Sequence, residues 1–210
     1  MNSNNLSNAD DNVMSISPQR GKENRPFVGV IVLVNGMEYC IPLTSPKDKF
    51  KTKKSQIDFI KIFDESRRDE NNQFKLIGVL NINNMIPVAD VVITKIDLAI
   101  HKNDTPEVKR SKALMQKQLA WCRDHADVIT NRAQKVYDLV VNTPDKNKNL
   151  TKRSSKFKAL ETELINFLIG YNHNMSVGYN LGYTSLLIID KLVDKLSTSV
   201  YNIGRNTLIY

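Results

Sequence analysis

Apolar residues along the chain follow two different periods, and the change falls at Thr105. Upstream of it, residues 27–34 are almost wholly apolar and β-branched, as a strand buried on both faces requires. Asn35-Gly36 comes next. Both positions of a tight hairpin turn need positive φ, so this pair predicts a hairpin with residues 38–43 as the returning strand. A lysine-rich loop over 44–56 leads to a predicted strand at 57–63, a polar loop over 64–72 and a strand at 74–82. Gly78 there marks a bulge or a close backbone approach. A turn over 83–87 and a strand over 88–96 complete about five strands on short links, the pattern of a strongly curved antiparallel sheet.

Downstream the period is helical. Thr105-Pro106 sets a capping hydroxyl before a first-turn proline. Val108, Met115, Leu119 and Cys122 share one face, and Ala126, Ile129, Ala133, Val136 and Val140 continue the stripe. After a polar break over 142–153, residues 154–170 read as a second amphipathic helix. The fold class is therefore α+β, a curved antiparallel sheet with packed helices. Residues 1–24 are polar and read as a flexible lead-in, 25–170 as the functional domain, and 171–210 as a C-terminal extension. That extension is first rich in Asn, Tyr and Gly, then apolar and helix-like over 185–196.

With 210 residues and 41% hydrophobic content, the chain has enough apolar material for one sizeable core. No apolar run is long enough to span a bilayer, and the Asn- and Ser-rich start lacks the apolar stretch of a secretory signal, so the cytoplasm is the expected compartment. Charge alters the picture more. The net +8 is uneven: residues 101–160 hold 14 basic and 6 acidic side chains, while 1–100 hold 13 and 12. Lys47, Lys49, Lys51, Lys53 and Lys54 form a second cluster. Such a surface favours a polyanion, nucleic acid above all, although solvated helix faces are the plainer explanation.

Familiar catalytic signatures are missing: the chain has no glycine-rich phosphate loop, His-Glu-x-x-His or nucleophile elbow. His101, His125 and His173 have no partnering pattern, and Cys40 and Cys122 read as small buried hydrophobes. The carboxylates Asp64-Glu65 and Asp69-Glu70 sit in a polar stretch and read as solvated. The unusual segment is Pro42-Leu43-Thr44-Ser45-Pro46-Lys47. Prolines stiffen it, and its two hydroxyls and one ammonium suit phosphate binding. A capped β-turn with a solvated lysine is the alternative.

That hexamer stands in a recognisable order. Arg25-Pro26-Phe27-Val28-Gly29-Val30, Gly36 and Tyr39 precede it, and Gly78-Val79-Leu80 and Asn84-Met85-Ile86-Pro87 follow. With Lys117-Gln118-Leu119, Trp121 and Arg123 beyond, the chain from Arg25 to Phe167 resembles the ToxN/AbiQ family of type III toxin–antitoxin systems. The resemblance implies a sheet distantly similar to the MazF/Kid toxins and an endoribonuclease without metal or other cofactor. Its cut leaves a 2′,3′-cyclic phosphate and a 5′-hydroxyl, typically in adenine-rich RNA. It implies Thr44, Ser45 and Lys47 as active-site residues, Arg25 as the basic residue before the first core strand, and Trp121 as an aromatic near the RNA. The implied partners are a small pseudoknotted antitoxin RNA, bound in a protein–RNA hetero-oligomer, and cellular or phage mRNA. A role in phage abortive infection goes with them, and neither DNA nor membrane is implied.

Chemically, Lys47 and Arg25 would stabilise charge on phosphorus while Thr44 and Ser45 hold the phosphate in line. Lys49, Lys51, Lys53, Lys54, Lys109, Arg110, Lys112, Lys117 and Arg123 would contact RNA phosphates, as would Lys146, Lys148, Lys152 and Arg153. Trp121 would stack on an unpaired base or else belong to the core. The alternative is an RNA-binding homologue impaired in cleavage, because residues 1–13 lack the tyrosine-bearing strand with which family members begin. A protein-interaction module is the third reading.

Overall fold

The computed structural model describes residues 28–178. Strand β1 (Gly29–Val34) and strand β2 (Met37–Thr44) form the hairpin the sequence predicts. Asn35 and Gly36 take φ of 49° and 77°, the left-handed pair that a tight turn with the strands' own twist demands. β1 is buried on both faces, with only Leu33 well exposed.

A short helix α1 (Asp48–Thr52) interrupts the lysine-rich loop and is followed by β3 (Phe59–Arg68) and β4 (Phe74–Asn81). Three sequence-based expectations are corrected here. β3 runs on through the stretch expected to be a polar loop, because β4 pairs with it as far as Arg68. Within 83–87, Ile86–Pro87 is a short strand β5 that pairs with Tyr39 and Cys40 of β2. The strand expected over 88–96 does not form. Only a 3-10 turn at Asp90–Val92 is regular there, and Val91, with no strand beside it, is 53% exposed.

The sheet order is β1-β2-β4-β3, antiparallel throughout, with β5 also on β2. On the side of β2 away from β1, β5 meets its third and fourth residues and β4 its last two. This splitting of one edge between two partners curls the sheet into a half-barrel. A bulge in β4 deepens the curl. Ile62 pairs with Gly78 and Phe63 with Leu76, which leaves Ile77 as the extra residue.

Helix α2 (Pro106–Asp124) begins where the sequence predicts, with Thr105 Oγ1 accepting from the Val108 backbone N–H at 3.3 Å. The apolar stripe is carried by two helices, because the chain breaks at His125 and resumes as α3 (Ala126–Val141). A 3-10 turn, the short helix α4 (Lys148–Arg153) and α5 (Phe157–Gly178) follow. Residues from β1–β4, α2, α3, α4 and α5 meet in one main core, including Val30, Ile41, Ile62, Leu80, Cys122, Val136, Leu150 and Phe157. Cys40 and Cys122 are buried, and burial pushes both thiols up to about 12, as expected of small hydrophobes.

Gln118 fastens α2 to the bulge. Its buried amide donates to the carbonyl of the extra residue, Ile77, at 2.6 Å. A Cβ on Gly78 would lie 2.7 Å from that same Nε2, so a larger residue there must push the amide away from its bond. Gly78→Ala is expected to cost about 2 kcal/mol in urea denaturation. The cost should shrink in a Gln118→Ala background, where the clash has gone.

Candidate active site

β2 delivers its last residue, Thr44, to the edge of the sheet opposite Val79, which in turn faces Lys61 of β3. Directly paired residues share a face, and the Phe59–Asn81 pair lies on this one too. The neighbouring residues Leu43, Leu80 and Ile60 point the other way, into the main core. Thr44, Val79, Asn81, Phe59 and Lys61 therefore occupy the face turned away from that core. Phe50 of α1 packs there on Phe59 and Val79, with Phe50 and Phe59 rings 5.6 Å apart, and this seats the helix that follows the loop.

Thr44 is half-buried. Its Oγ1 donates to the Val79 carbonyl at 3.3 Å and accepts from Asn81 Nδ2 at 3.3 Å. Ser45, Pro46 and Lys47 are exposed, and Lys47 leads directly into α1 in an extended conformation. Among the described residues neither the Ser45 hydroxyl nor the Lys47 ammonium makes a side-chain bond. The structure thus brings Thr44, Ser45 and Lys47 together at one strand end. Arg25 lies outside the described residues.

Cations gather on the same face. Lys51 is exposed and pairs with Asp48 at 2.9 Å, Lys53 lies 4.9 Å from the centre of the Phe59 ring, and Lys54 is exposed. The Lys49 side chain lies outside the described residues. Lys61, which sequence reasoning passed over, reaches across to donate to the Lys51 carbonyl at 3.3 Å. It stands two strand spacings, roughly 10 Å, from Thr44.

The α2 cations are less uniform than expected. Arg110 and Arg123 lie on the helix surface, Arg110 bonded to Glu107 at 2.7 Å, while Lys109 is half-buried and donates to the Lys102 carbonyl at 3.4 Å. Lys112 is a correction: its side chain is only 14% exposed, and its ammonium donates to Ala99 O at 2.7 Å and Asp104 at 3.0 Å. It fixes the irregular segment ahead of α2, as does Gln116 through Leu98 O, instead of facing a phosphate. Trp121 packs against the main core, with His125 stacked on one ring face at 3.8 Å. Lys146, Lys148 and Lys152 are exposed, whereas Arg153 bonds the buried Asp58 at 2.6 Å. His101 pairs with Asp97, and His173 lies outside the described side chains.

Asp64 is a second correction, since it is neither in a loop nor merely solvated. It sits in β3, 9% exposed, and accepts from Lys117 Nζ at 2.6 Å and from Ser66. Those bonds, Lys117 foremost, hold its carboxyl down to about 2 from 3.8. A depressed folded pKa means that the stabilisation is full above the unfolded value and is lost as pH falls through the folded one. Asp64→Asn is expected to cost about 1 kcal/mol near neutrality, after screening by solvent around the half-exposed ammonium. The difference from the unsubstituted chain should vanish at about pH 2 in acid unfolding curves. Among the described residues no three His, Cys, Asp or Glu side chains gather as metal ligands would. No helix among them is long and apolar enough to cross a membrane.

The family description "Toxin ToxN, type III toxin–antitoxin system" matches residues 3–165. The chain belongs to the ToxN family. The match begins well ahead of Arg25, where the resemblance in the motifs begins. Endoribonuclease ToxN of Bacillus thuringiensis subsp. kurstaki is 39% identical over 116 residues, 55% of this chain and 53% of that protein. The aligned part thus spans about half the length of that relative. Two solved structures share the fold. One, from work on selective toxin inhibition by a non-coding RNA pseudoknot, aligns with a TM-score of 0.61 and 32% identity over 78% of this chain and 90% of that one. The other, AbiQ, a lactococcal anti-phage endoribonuclease, aligns at 0.57 and 25% identity over 79% and 93%.

Within this ToxN-family chain, the Lys-Gln-Leu motif on α2 ties the helix to the sheet. Lys117 holds Asp64, Gln118 holds Ile77, and Leu119 lines a small apolar cavity with Val28, Leu43, Met115 and Cys122. Lys61 was discoverable from the i, i+2 spacing of Phe59, Lys61 and Phe63, which sets it on one face of its strand. Asn81 carried no such signal, because only the pairing register brings it to Thr44.

Proposed function

We propose that this chain is an endoribonuclease toxin that cuts RNA at the Thr44–Lys47 corner, without a metal ion, and is restrained by a structured antitoxin RNA. The observation that carries the reading is the exposed pair Ser45 and Lys47 beside Thr44, neither with a side-chain bond among the described residues, on a sheet face flanked by Lys51, Lys53 and Lys61. A hydroxyl and a cation held ready for an anion, at a stiff strand end, match the needs of phosphodiester transesterification. The names of the relatives support it: the Bacillus protein and AbiQ are called endoribonucleases, and one aligned structure comes from work on toxin inhibition by a non-coding RNA pseudoknot. A role in phage defence follows the description of AbiQ.

In the proposed reaction the 2′-oxygen attacks the adjacent phosphorus, the bond from phosphorus to the 5′-oxygen breaks, and a 2′,3′-cyclic phosphate remains. The 2′ proton passes to solvent, and the leaving 5′-oxygen takes one up. Lys47 neutralises charge that grows on the phosphate oxygens, and Ser45 donates to one of them. Arg25 supplies a second cation. The exposed lysines around α1, with Lys109 and Arg110 on α2, hold flanking phosphates, so binding should weaken steeply with salt.

The product tests the reading. Purified chain in excess EDTA should cut adenine-rich RNA to fragments ending in 2′,3′-cyclic phosphate and 5′-hydroxyl. Fragments with 3′-hydroxyl and 5′-phosphate ends, or cleavage abolished by the chelator, would contradict it.

A further inference from the structure

We infer that Asn81 is a positioning residue for this cleavage, fixing Thr44 as a hydrogen-bond acceptor for the attacking 2′-hydroxyl. The inference rests on the function proposed above and assigns a division of labour within that site.

A threonine hydroxyl has one proton to give and two lone pairs to receive with. The Val79 carbonyl, 3.3 Å from Thr44 Oγ1, can only accept, so the proton goes there. Asn81 Nδ2, at 3.3 Å, then fills one lone pair. One lone pair of a half-buried oxygen remains. Phosphate oxygens are acceptors, and Thr44 in this arrangement has no proton left for them. A ribose 2′-hydroxyl can donate, and it fits the vacancy; Thr44 only orients it, and the proton leaves to solvent as the 2′-oxygen bonds to phosphorus. Ser45 and Lys47, next along the chain and uncommitted among the described residues, are the groups with protons to offer the phosphate.

The sheet enforces the arrangement. Thr44 is paired with Val79, and Asn81 follows two positions along the same strand, on the same face. Asn81 is backed by the buried Phe59 opposite it. Without the amide only the Val79 bond holds the hydroxyl, and the lone pair that keeps the nucleophile in line is less well directed.

Single-turnover cleavage of RNA by a double-mutant cycle tests this. Asn81→Ala is expected to lower the rate by ~10- to 100-fold while RNA affinity stays unchanged. Asn81→Leu, of similar shape but without an N–H, should lose as much, and it stands in should the alanine variant fail to fold. Thr44→Val should match them, and adding Asn81→Ala to Thr44→Val should cost nothing further. On RNA carrying sulfur at a non-bridging phosphate oxygen, the slowing should be equal for Thr44→Val and the unsubstituted chain. Full activity in Asn81→Leu, an Asn81→Ala loss that persists in the Thr44→Val background, or a sulfur effect altered by Thr44→Val would each overturn the assignment. If the unsubstituted chain cuts no RNA, the proposed function has failed and this inference falls with it.

Discussion

Ser45→Ala and Lys47→Ala are each expected to slow single-turnover RNA cleavage by ~10²- to 10³-fold, the usual effect of removing one group that stabilises transition-state charge. Both side chains are exposed and neither is bonded among the described residues, so their loss leaves no buried group stranded. Folding should therefore be unaffected, and thermal midpoints of the variants should coincide with that of the unsubstituted chain. RNA affinity should fall by less than ~10-fold, because each contributes at most one phosphate contact among several. Lys47→Arg restores charge without the compact ammonium, and partial recovery is expected. Cleavage by Lys47→Ala at the full rate would remove the loop from the chemistry.

The largest effect on stability is expected at the buried Glu161. Its Oε1 accepts from Tyr39 Oη at 2.7 Å and Tyr137 Oη at 2.8 Å, and Oε2 takes Lys158 at 2.9 Å. Phe157 completes the cluster, 5.9 Å from Tyr39 and stacked at 5.7 Å on Tyr137. Burial first, then the neighbouring carboxylate, pushes the Tyr39 phenol far above its ordinary range, so it remains a donor at any working pH. Glu161→Ala strands two phenols in the interior and should cost about 3 kcal/mol in chemical denaturation. Glu161→Gln keeps an acceptor oxygen for both phenols and should cost about 1 kcal/mol. Equal costs for the two variants would show that the hydrogen bonds are not what matters. The node also bolts α5 to β2 five residues ahead of Thr44, so Glu161→Ala should loosen the strand end as well.

The hairpin was legible because Asn35-Gly36 is decided by backbone sterics alone, and the start of α2 because Thr105-Pro106 is a local cap. The Thr44–Lys47 corner was legible as a motif, since proline and hydroxyl chemistry can be read from neighbours in sequence. Asp64 was misread for a reason of distance. Its partner Lys117 is remote in sequence, and a carboxylate beside Glu65 in a polar run looks solvated until α2 is laid across β3. Lys112 was misread in the same way, as a helix-face cation, because the loop carbonyl and carboxylate that capture it belong to a segment with no regular pattern. The strand expected over 88–96 shows the converse error. Valine and isoleucine supplied the propensity, but β2 offers β5 only Tyr39 and Cys40 to pair with.

The proposed function puts RNA chemistry on the sheet face that holds Thr44, not on the basic helices. Amide hydrogen exchange with a 2′-O-methyl RNA, which binds but cannot be cut, locates the substrate directly. Protection centred on residues 43–54 and 79–82, where β2, α1 and β4 meet, is expected, with weaker protection at the start of α2 around Lys109 and Arg110. Protection over α2 and α3 with none at the end of β2 would contradict it.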